Sequence, residues 1–377
     1  MTWEVPLTEL TVTEDDVQAV LDCLESGWLT MGPRTQEFEA AFARWLGSPH
    51  AVSVSSGTAA LHLALASLGV GPGDEVIVPD FTFVATAAAA RFVGATPVLC
   101  DVVSPERPLI DPEDVARRIT PRTRAVVAVH FFGYAADVDA LRALCDEHRL
   151  ALVEDVAQGI GAEVGRARAK AGTVGDVSTF SLFSKNQLSI GEGGMVATAD
   201  EEIAARVRLL RSHAMTSGTW DRHRGHATTY DVVDIGFNFR LDEPRAAFAS
   251  SRLARLDDDI ARRRAVSRRY RELLAGVDGL EPMFDEVAGE HASHFAFPVL
   301  LAGRQERDGF RHALKGRGIQ TTWYPAVTEL SAYRGLGPLP VAEDAAARHC
   351  ALPMFASLDE GRQRRVVEAA KTALAPS

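Results

Sequence analysis

The chain has 377 residues, 46% of them hydrophobic and 24% charged, with a formal net charge of −11. This composition fits a globular protein with a sizeable core and room for two domains, and its acidity excludes a general nucleic-acid or anionic-membrane binder. Cys23, Cys100, Cys145 and Cys350 lie far apart, so there is neither zinc spacing nor a redox CxxC pair, and they read as reduced thiols of a cytoplasmic protein. The N-terminal stretch lacks a basic start and an apolar run, so no signal peptide is expected; no run reaches the length of a membrane span.

TEDDVQAVLDCLESG opens with acids and stops at glycine, as a helix does, and EFEAAFARWLG is an amphipathic helix ending at Gly47. A short strand, AVSVS (51–55), precedes an apolar helix, TAALHLALASLG (58–69). EVIVP, ATPVLCDV, RAVVAVHFFG and ALVEDVAQ follow as apolar strands. Such strands separated by helices predict an α/β fold, a mostly parallel central sheet with helices on both faces. From about residue 246 the pattern becomes one long charged helix, AAFASSRLARLDDDIARRRAVSRRYRELLAGV, followed by a strand, HFAFPVLLAG, and mixed short segments. The expected division is a large domain over 1–250, N-terminal arm included, and a smaller C-terminal α+β domain over 251–377.

Three stretches carry candidate chemistry. In VSSGTAALHLAL a strand ends in a Ser-Ser-Gly turn and a helix begins at Thr58. Its free N–H groups and dipole make an anion site, with Ser55, Ser56 and Thr58 as hydroxyl donors; an ordinary N-cap has the same sequence. ALVEDVAQGIGA ends a strand in Glu154-Asp155, with Gln158 three residues on. A carboxylate at a strand end can hold a protonated ligand nitrogen, and a solvated acidic turn is the plain alternative. The glycines of GIGAEVG do not have dinucleotide-fingerprint spacing.

The third stretch, TFSLFSKNQLSIGEGG, sets Lys185 between apolar residues and a glycine-rich turn. The only lysines are Lys170, Lys185, Lys315 and Lys371, against 40 Lys+Arg in all. A lysine kept here, partly buried by Phe180, Leu182 and Phe183, reads as a nucleophile able to form an imine, rather than a loop lysine in solvent. An anion cup, an acid at a strand end and a buried amine, in this order, are what pyridoxal 5′-phosphate requires.

Taken together, SSGTAALHLAL, DEVIVPDFTFVATA, GATPVLCDV, ITPRTRAVVAVHFFG, VEDVAQ, SKNQLSIGEGG and IGFNFRLDEPRAAF make the chain resemble the nucleotide-sugar aminotransferases of the DegT/StrS type over nearly its whole length. These are pyridoxal-phosphate enzymes of fold type I. The resemblance implies that Lys185 forms the imine with the cofactor, Asp155 pairs with its ring nitrogen and Gln158 contacts its ring hydroxyl. Gly57, Thr58 and Ser181 would hold the phosphate and Phe83 would stack on the ring. Asn238 would reach the phosphate from a partner subunit, making a homodimer with shared active sites.

Some positions depart from the pattern. Ser181 lies four residues before Lys185, where five is usual, and Ser178 is the alternative. Ala88 stands where many relatives carry asparagine, and WYPAVTE replaces a more usual HYP. Tyr324 of that segment, and Trp28 of SGWLTMGP, are expected at the substrate. The loop 212–231 carries Arg222, His223, Arg224 and His226, and is expected to meet a nucleotide diphosphate unless it is simply a solvated basic loop. Two histidines alone make no metal site, and His62 reads as a core residue. Relatives that dehydrate their sugar carry histidine in place of the lysine, so Lys185 implies transamination.

The implied reaction transfers the amino group of L-glutamate to a nucleotide-linked keto-sugar. Similarity to actinobacterial 4-aminotransferases points to dTDP-4-keto-6-deoxy-D-glucose, aminated at C4, in antibiotic or surface-glycan deoxyaminosugar biosynthesis. The competing readings are a 3-keto-sugar or keto-cyclitol aminotransferase, and a non-catalytic regulatory protein that merely binds the cofactor. No metal, nucleic-acid or membrane partner is expected.

Overall fold

The computed structural model describes residues 3–375. Helices α1 (Glu14–Glu25) and α2 (Pro33–Leu46) lead into β1 (His50–Val54), α3 (Gly57–Ser67), β2 (Glu75–Pro79), α4 (Ala85–Phe92), β3 (Thr96–Cys100), α5 (Pro112–Arg118), β4 (Thr123–Val129), α6 (Val138–His148) and β5 (Ala151–Asp155). A small hairpin, β6 (Glu163–Val164) and β7 (Ala169–Lys170), precedes β8 (Val177–Ser181), β9 (Gly194–Thr198), α7 (Glu201–Arg211), the short α8 (Thr219–His223), α9 (Glu243–Leu253) and α10 (Leu256–Leu274).

The central sheet has the order β1-β9-β8-β5-β4-β2-β3. Pairings among β2, β3, β4, β5 and β8 are parallel, whereas β9 runs antiparallel to both β1 and β8. The exception has a simple cause. A parallel return needs a crossover element, and β8 is joined to β9 only by the loop 182–193, which carries Lys185. Successive strand residues enter opposite cores: Val78, Val127 and Val153 pack on one face, Ile77, Val126 and Leu152 on the other. The fold is α/β, with a mostly parallel sheet.

The single long helix expected from residue 246 onward is broken into α9 and α10. Arg255 leaves helical geometry (φ −116°, ψ 9°), and its guanidinium turns onto the carboxylate of Asp16 in α1, with Nη1–Oδ1 at 2.8 Å. Asp16 also closes a capping box with Thr13 and accepts the Ser251 hydroxyl at 2.7 Å. Burial alone would raise its pKa. The Arg255, Thr13 and Ser251 hydrogen bonds outweigh burial and hold the carboxyl well below the ordinary range.

Beyond α9 a third core forms under the three-stranded antiparallel sheet β10 (Glu281–Pro282), β11 (Phe297–Leu300) and β12 (His349–Leu352). Val5, from the N-terminal arm, packs into this core with Tyr270 and Leu274 of α10. The first turns of α10, Leu256 and Ile260, belong instead to a core of the large sheet, so this helix joins the two. Among the described residues no helix is long and apolar enough to cross a membrane.

Candidate active site

The alternation of a strand sends Glu154 and Asp155, adjacent at the end of β5, to opposite sides. Glu154 is fully buried and accepts the N–H groups of Gly172, Val174 and Gly175 at 2.9, 2.8 and 2.7 Å. His130 Nε2 lies 3.0 Å away, and because His130 Nδ1 accepts the Ala136 N–H at 3.2 Å, the proton sits on Nε2. Burial opposes ionisation of Glu154, but His130 and these amides outweigh it and hold the pKa down. Glu154 thus fixes the strand end.

Asp155 faces a cavity of about 290 Å³. It is 4% exposed and accepts the Ala157 N–H at 3.1 Å and the Thr86 hydroxyl at 2.9 Å; Thr86 is in turn 3.0 Å from Thr82. No arginine or lysine forms an ion pair with it among the described residues. Burial therefore dominates and pushes its carboxyl pKa up, with the Ala157 and Thr86 hydrogen bonds opposing.

The same cavity is lined by Gly57, Thr58, Phe83, Gln158, Ser181, Lys185 and Tyr324. Ser56 caps α3 by accepting the Ala59 N–H at 3.0 Å, so Gly57 and Thr58 stand at a helix start whose N–H groups precede the first intrahelical bond. A Cβ on Gly57 would lie 2.6 Å from Ser181 Cβ, so only glycine lets the helix start lie against the end of β8. That contact places Ser181 at the cavity, whereas Ser178 is fully buried and bonds Ala197 O at 3.2 Å.

Gln158 Oε1 accepts the Phe132 N–H at 2.9 Å. Phe132 holds a left-handed backbone (φ 56°), unusual for an aromatic residue and tolerated here where it fixes a cavity side chain. Burial pushes the Tyr324 hydroxyl up to about 12, with Gln158 opposing. Phe83 is 56% exposed and lines the cavity with its apolar side chain.

Lys185 is exposed in the chain, not partly buried as its neighbours suggest. Leu182 packs inward, but Phe183 already turns outward and the chain leaves the sheet there, carrying Lys185 with it. The loop is nonetheless fixed. Asn186 Nδ2 bonds Ser181 O at 2.6 Å, Leu182 N bonds Gly193 O at 2.9 Å and Ser184 N bonds Gly191 O at 3.1 Å, with Gly191 at φ 92°. Thr86 and Glu192 also line the cavity, and sequence reasoning missed both. The signals were there: a hydroxyl in an alanine-rich helix, and an acid inside a glycine turn.

Other candidates lie outside this cavity. Asn238 is exposed, its backbone bridged to Ser212. Trp28 meets His223 at 4.6 Å and Trp220 at 4.8 Å in a separate groove that Arg34 and Glu243 also line. Arg222 bonds Ser217 O at 2.6 Å and lies over the Tyr230 ring, and Arg224 lies over Trp220. Among the described residues no group of three or more His, Cys, Asp or Glu could hold a metal ion. His62 is half-buried against Phe237 at 4.5 Å, and burial lowers its pKa.

The family model for DegT/DnrJ/EryC1/StrS aminotransferases matches residues 11–371. The chain belongs to that family. It is 39% identical over 379 aligned positions, 97% of this chain and 95% of the relative, to the dTDP-3-amino-3,4,6-trideoxy-alpha-D-glucose transaminase of Streptomyces venezuelae. Two crystal structures superpose over its length. The aminotransferase TlmJ from Streptoalloteichus hindustanus has a TM-score of 0.90 and 36% identity, covering 99% of this chain and 98% of that one. DesV of S. venezuelae, in complex with a ketimine intermediate, has a TM-score of 0.89 and 37% identity over 100% of both chains.

The protein is a sugar aminotransferase of fold type I, and the cofactor of its family is pyridoxal 5′-phosphate. The residues present suit that group. A buried carboxylate without a cation faces the cavity, a helix start opens onto it, an aromatic face is left bare, and a primary amine stands at its mouth.

Proposed function

We propose that this aminotransferase moves the amino group of L-glutamate onto a dTDP-linked keto-6-deoxyhexose, at C4. The observation that carries the reading is the meeting of Lys185, Asp155, Gln158, Thr58 and Phe83 at one cavity in a member of a sugar-aminotransferase family. When bound, pyridoxal phosphate supplies an electron sink that acidifies the C–H beside the nitrogen it holds.

The chain's residues do the rest. Asp155 would be the counter-charge for the cofactor's ring nitrogen, and Gln158 would meet the ring hydroxyl. Gly57, Thr58 and Ser181 would hold the phosphate at the start of α3. Phe83 would cover one ring face. Lys185 Nζ would hold the cofactor at its aldehyde carbon, and as a free amine it would take a proton from the donor's α-carbon and return one to the sugar carbon. Arginine cannot take either role, because its guanidinium stays charged at neutral pH.

The active form is a homodimer in this reading, with Asn238 reaching the partner's phosphate and Arg222, His223, Arg224 and Trp28 serving the partner's substrate. What supports it is that these residues lie outside their own cavity, while Phe83, Phe183, Val233 and Ile235 are exposed, the last at 85%. Apolar surface of that kind is what a partner would cover.

Amination at C3 is the second reading, favoured by the name of the S. venezuelae relative. The deciding experiment incubates the enzyme with L-glutamate and, separately, dTDP-4-keto-6-deoxyglucose and its 3-keto isomer, with products assigned by mass and NMR. A 4-amino-4,6-dideoxy sugar supports the first reading. A 3-amino product alone replaces it with the second, and no amino sugar from either refutes the substrate class.

A further inference from the structure

Behind the Lys185 loop lies a second cavity, of about 200 Å³, which the transamination chemistry does not use. Its walls are the N-terminal arm around Thr11, the loop residues Ser184, Asn186, Gln187 and Ser189, and the face of α9 and α10 that bears Arg252, Arg255, Arg262 and Arg263. Four arginines around so small a space need an account. Arg255 is paired with Asp16, and Glu9, which also lines the cavity, is paired with Arg362 at 2.8 Å. Asp259 lines it too and makes no direct ion pair among the described residues, and its single charge stands against Arg252, Arg262 and Arg263, so arginine charge remains in excess.

Two of these arginines are buried without a direct ion pair among the described residues, with Asp259 as a carboxylate that both of them feel. Arg252 and Arg263 are each 5% exposed. Arg252 Nη1 donates to Thr11 O at 2.9 Å, and Arg263 Nη1 donates to His294 O and Met354 O at 2.9 and 3.3 Å. Carbonyl oxygens satisfy a donor but add no counter-charge, the one carboxylate of Asp259 is shared between the two arginines, and buried charges are ordinarily paired. Burial accordingly lowers the pKa of both, that of Arg263 to about 10. The buried atoms Arg252 Nε, Arg263 Nε, Gln187 Oε1 and Ser189 Oγ have no hydrogen-bond partner among the described residues, and all four residues line this one cavity. Three of the four can donate to an oxygen ligand.

We propose that this cavity is a binding site for a small oxyanion of the phosphate class, held by Arg252, Arg262 and Arg263 with Ser189. Such an anion supplies the missing counter-charge and partners for the unpaired donors. It rests against the loop that carries Lys185, whose flanking residues Ser184 and Asn186 line the cavity. The phosphate group has two possible sources, a free anion or the diphosphate of a nucleotide.

The test uses the cofactor-loaded enzyme, so that the start of α3 is already filled. Inorganic phosphate and dTDP are titrated calorimetrically at constant ionic strength into the wild type, Arg262→Gln, Ser189→Ala and Arg252→Gln. Arg262 is exposed and its variant should fold normally, which keeps the test sound if Arg252→Gln does not fold. Phosphate affinity should fall at least tenfold in Arg262→Gln. Loss for phosphate alone assigns a free anion, and a parallel loss for dTDP assigns the diphosphate. Crystals soaked in tungstate should show anomalous density between Arg252 and Arg263. Absence of phosphate binding at millimolar concentration, affinities unchanged in all variants, or ordered water alone in the cavity overturns the proposal.

Discussion

Replacing Asp155 by asparagine removes one charge and almost no volume. Asp155 accepts from Ala157 N through Oδ1 at 3.1 Å and from the Thr86 hydroxyl through Oδ2 at 2.9 Å; an amide oxygen can keep the first, and the amide NH2 at the second position can donate to the Thr86 oxygen instead. In the chain without cofactor, burial raises the Asp155 pKa above its unfolded value. A carboxyl of that kind contributes stability that is present below the unfolded pKa and lost as pH rises through the folded one. Wherever the side chain is ionised it is therefore a burden on the apoprotein, and Asp155→Asn should leave apo stability unchanged or raise it. With cofactor the sign reverses. A carboxylate beside a cationic ring nitrogen shifts its pKa by roughly 1–3 units, which is about 1.4–4 kcal/mol or a ten- to thousandfold effect. Turnover should fall within that range, while urea denaturation of the apoprotein shows no loss. A variant that is destabilised without cofactor yet keeps full turnover would refute the assignment of Asp155.

Three other outcomes are expected. Lys185→Arg should keep the fold, as judged by circular dichroism, and lose about 10³-fold or more in turnover. Gly57→Ala should weaken cofactor binding at least tenfold in a fluorescence titration, since its Cβ would meet Ser181 at 2.6 Å and force the helix start off β8. Glu154→Ala should cost about 3–5 kcal/mol in chemical denaturation, because it leaves buried His130 and the N–H groups of Gly172, Val174 and Gly175 without their carboxylate partner.

The parts of the site legible in the sequence were those encoded by contiguous pattern. The Ser-Ser-Gly turn before an apolar helix, the acid at a strand end and the lysine beside a glycine turn each carry their chemistry within a few residues. The α/β architecture followed from the same local rhythm. What could not be read rests on contacts between distant segments. Thr86 reaches Asp155 across 69 positions, and Arg255 reaches Asp16 across 239. The second contact accompanies the break in what reads as one continuous helix. Glu154 and Asp155 looked equivalent as a pair, and only the direction of β5 separates the one that anchors the sheet from the one that faces the cavity. The exposure of Lys185 depends on where the loop leaves β8, and apolar neighbours in the sequence do not report that.

The central claim is that Lys185 and Asp155 drive amino transfer at this cavity. The most direct measurement adds excess L-glutamate to cofactor-loaded protein, with no sugar present, and quantifies 2-oxoglutarate. The wild type should release about one equivalent per chain as the cofactor's visible absorption bleaches, and Lys185→Arg should release none on the same timescale. Equal release by both proteins, or none by the loaded wild type, would contradict the account.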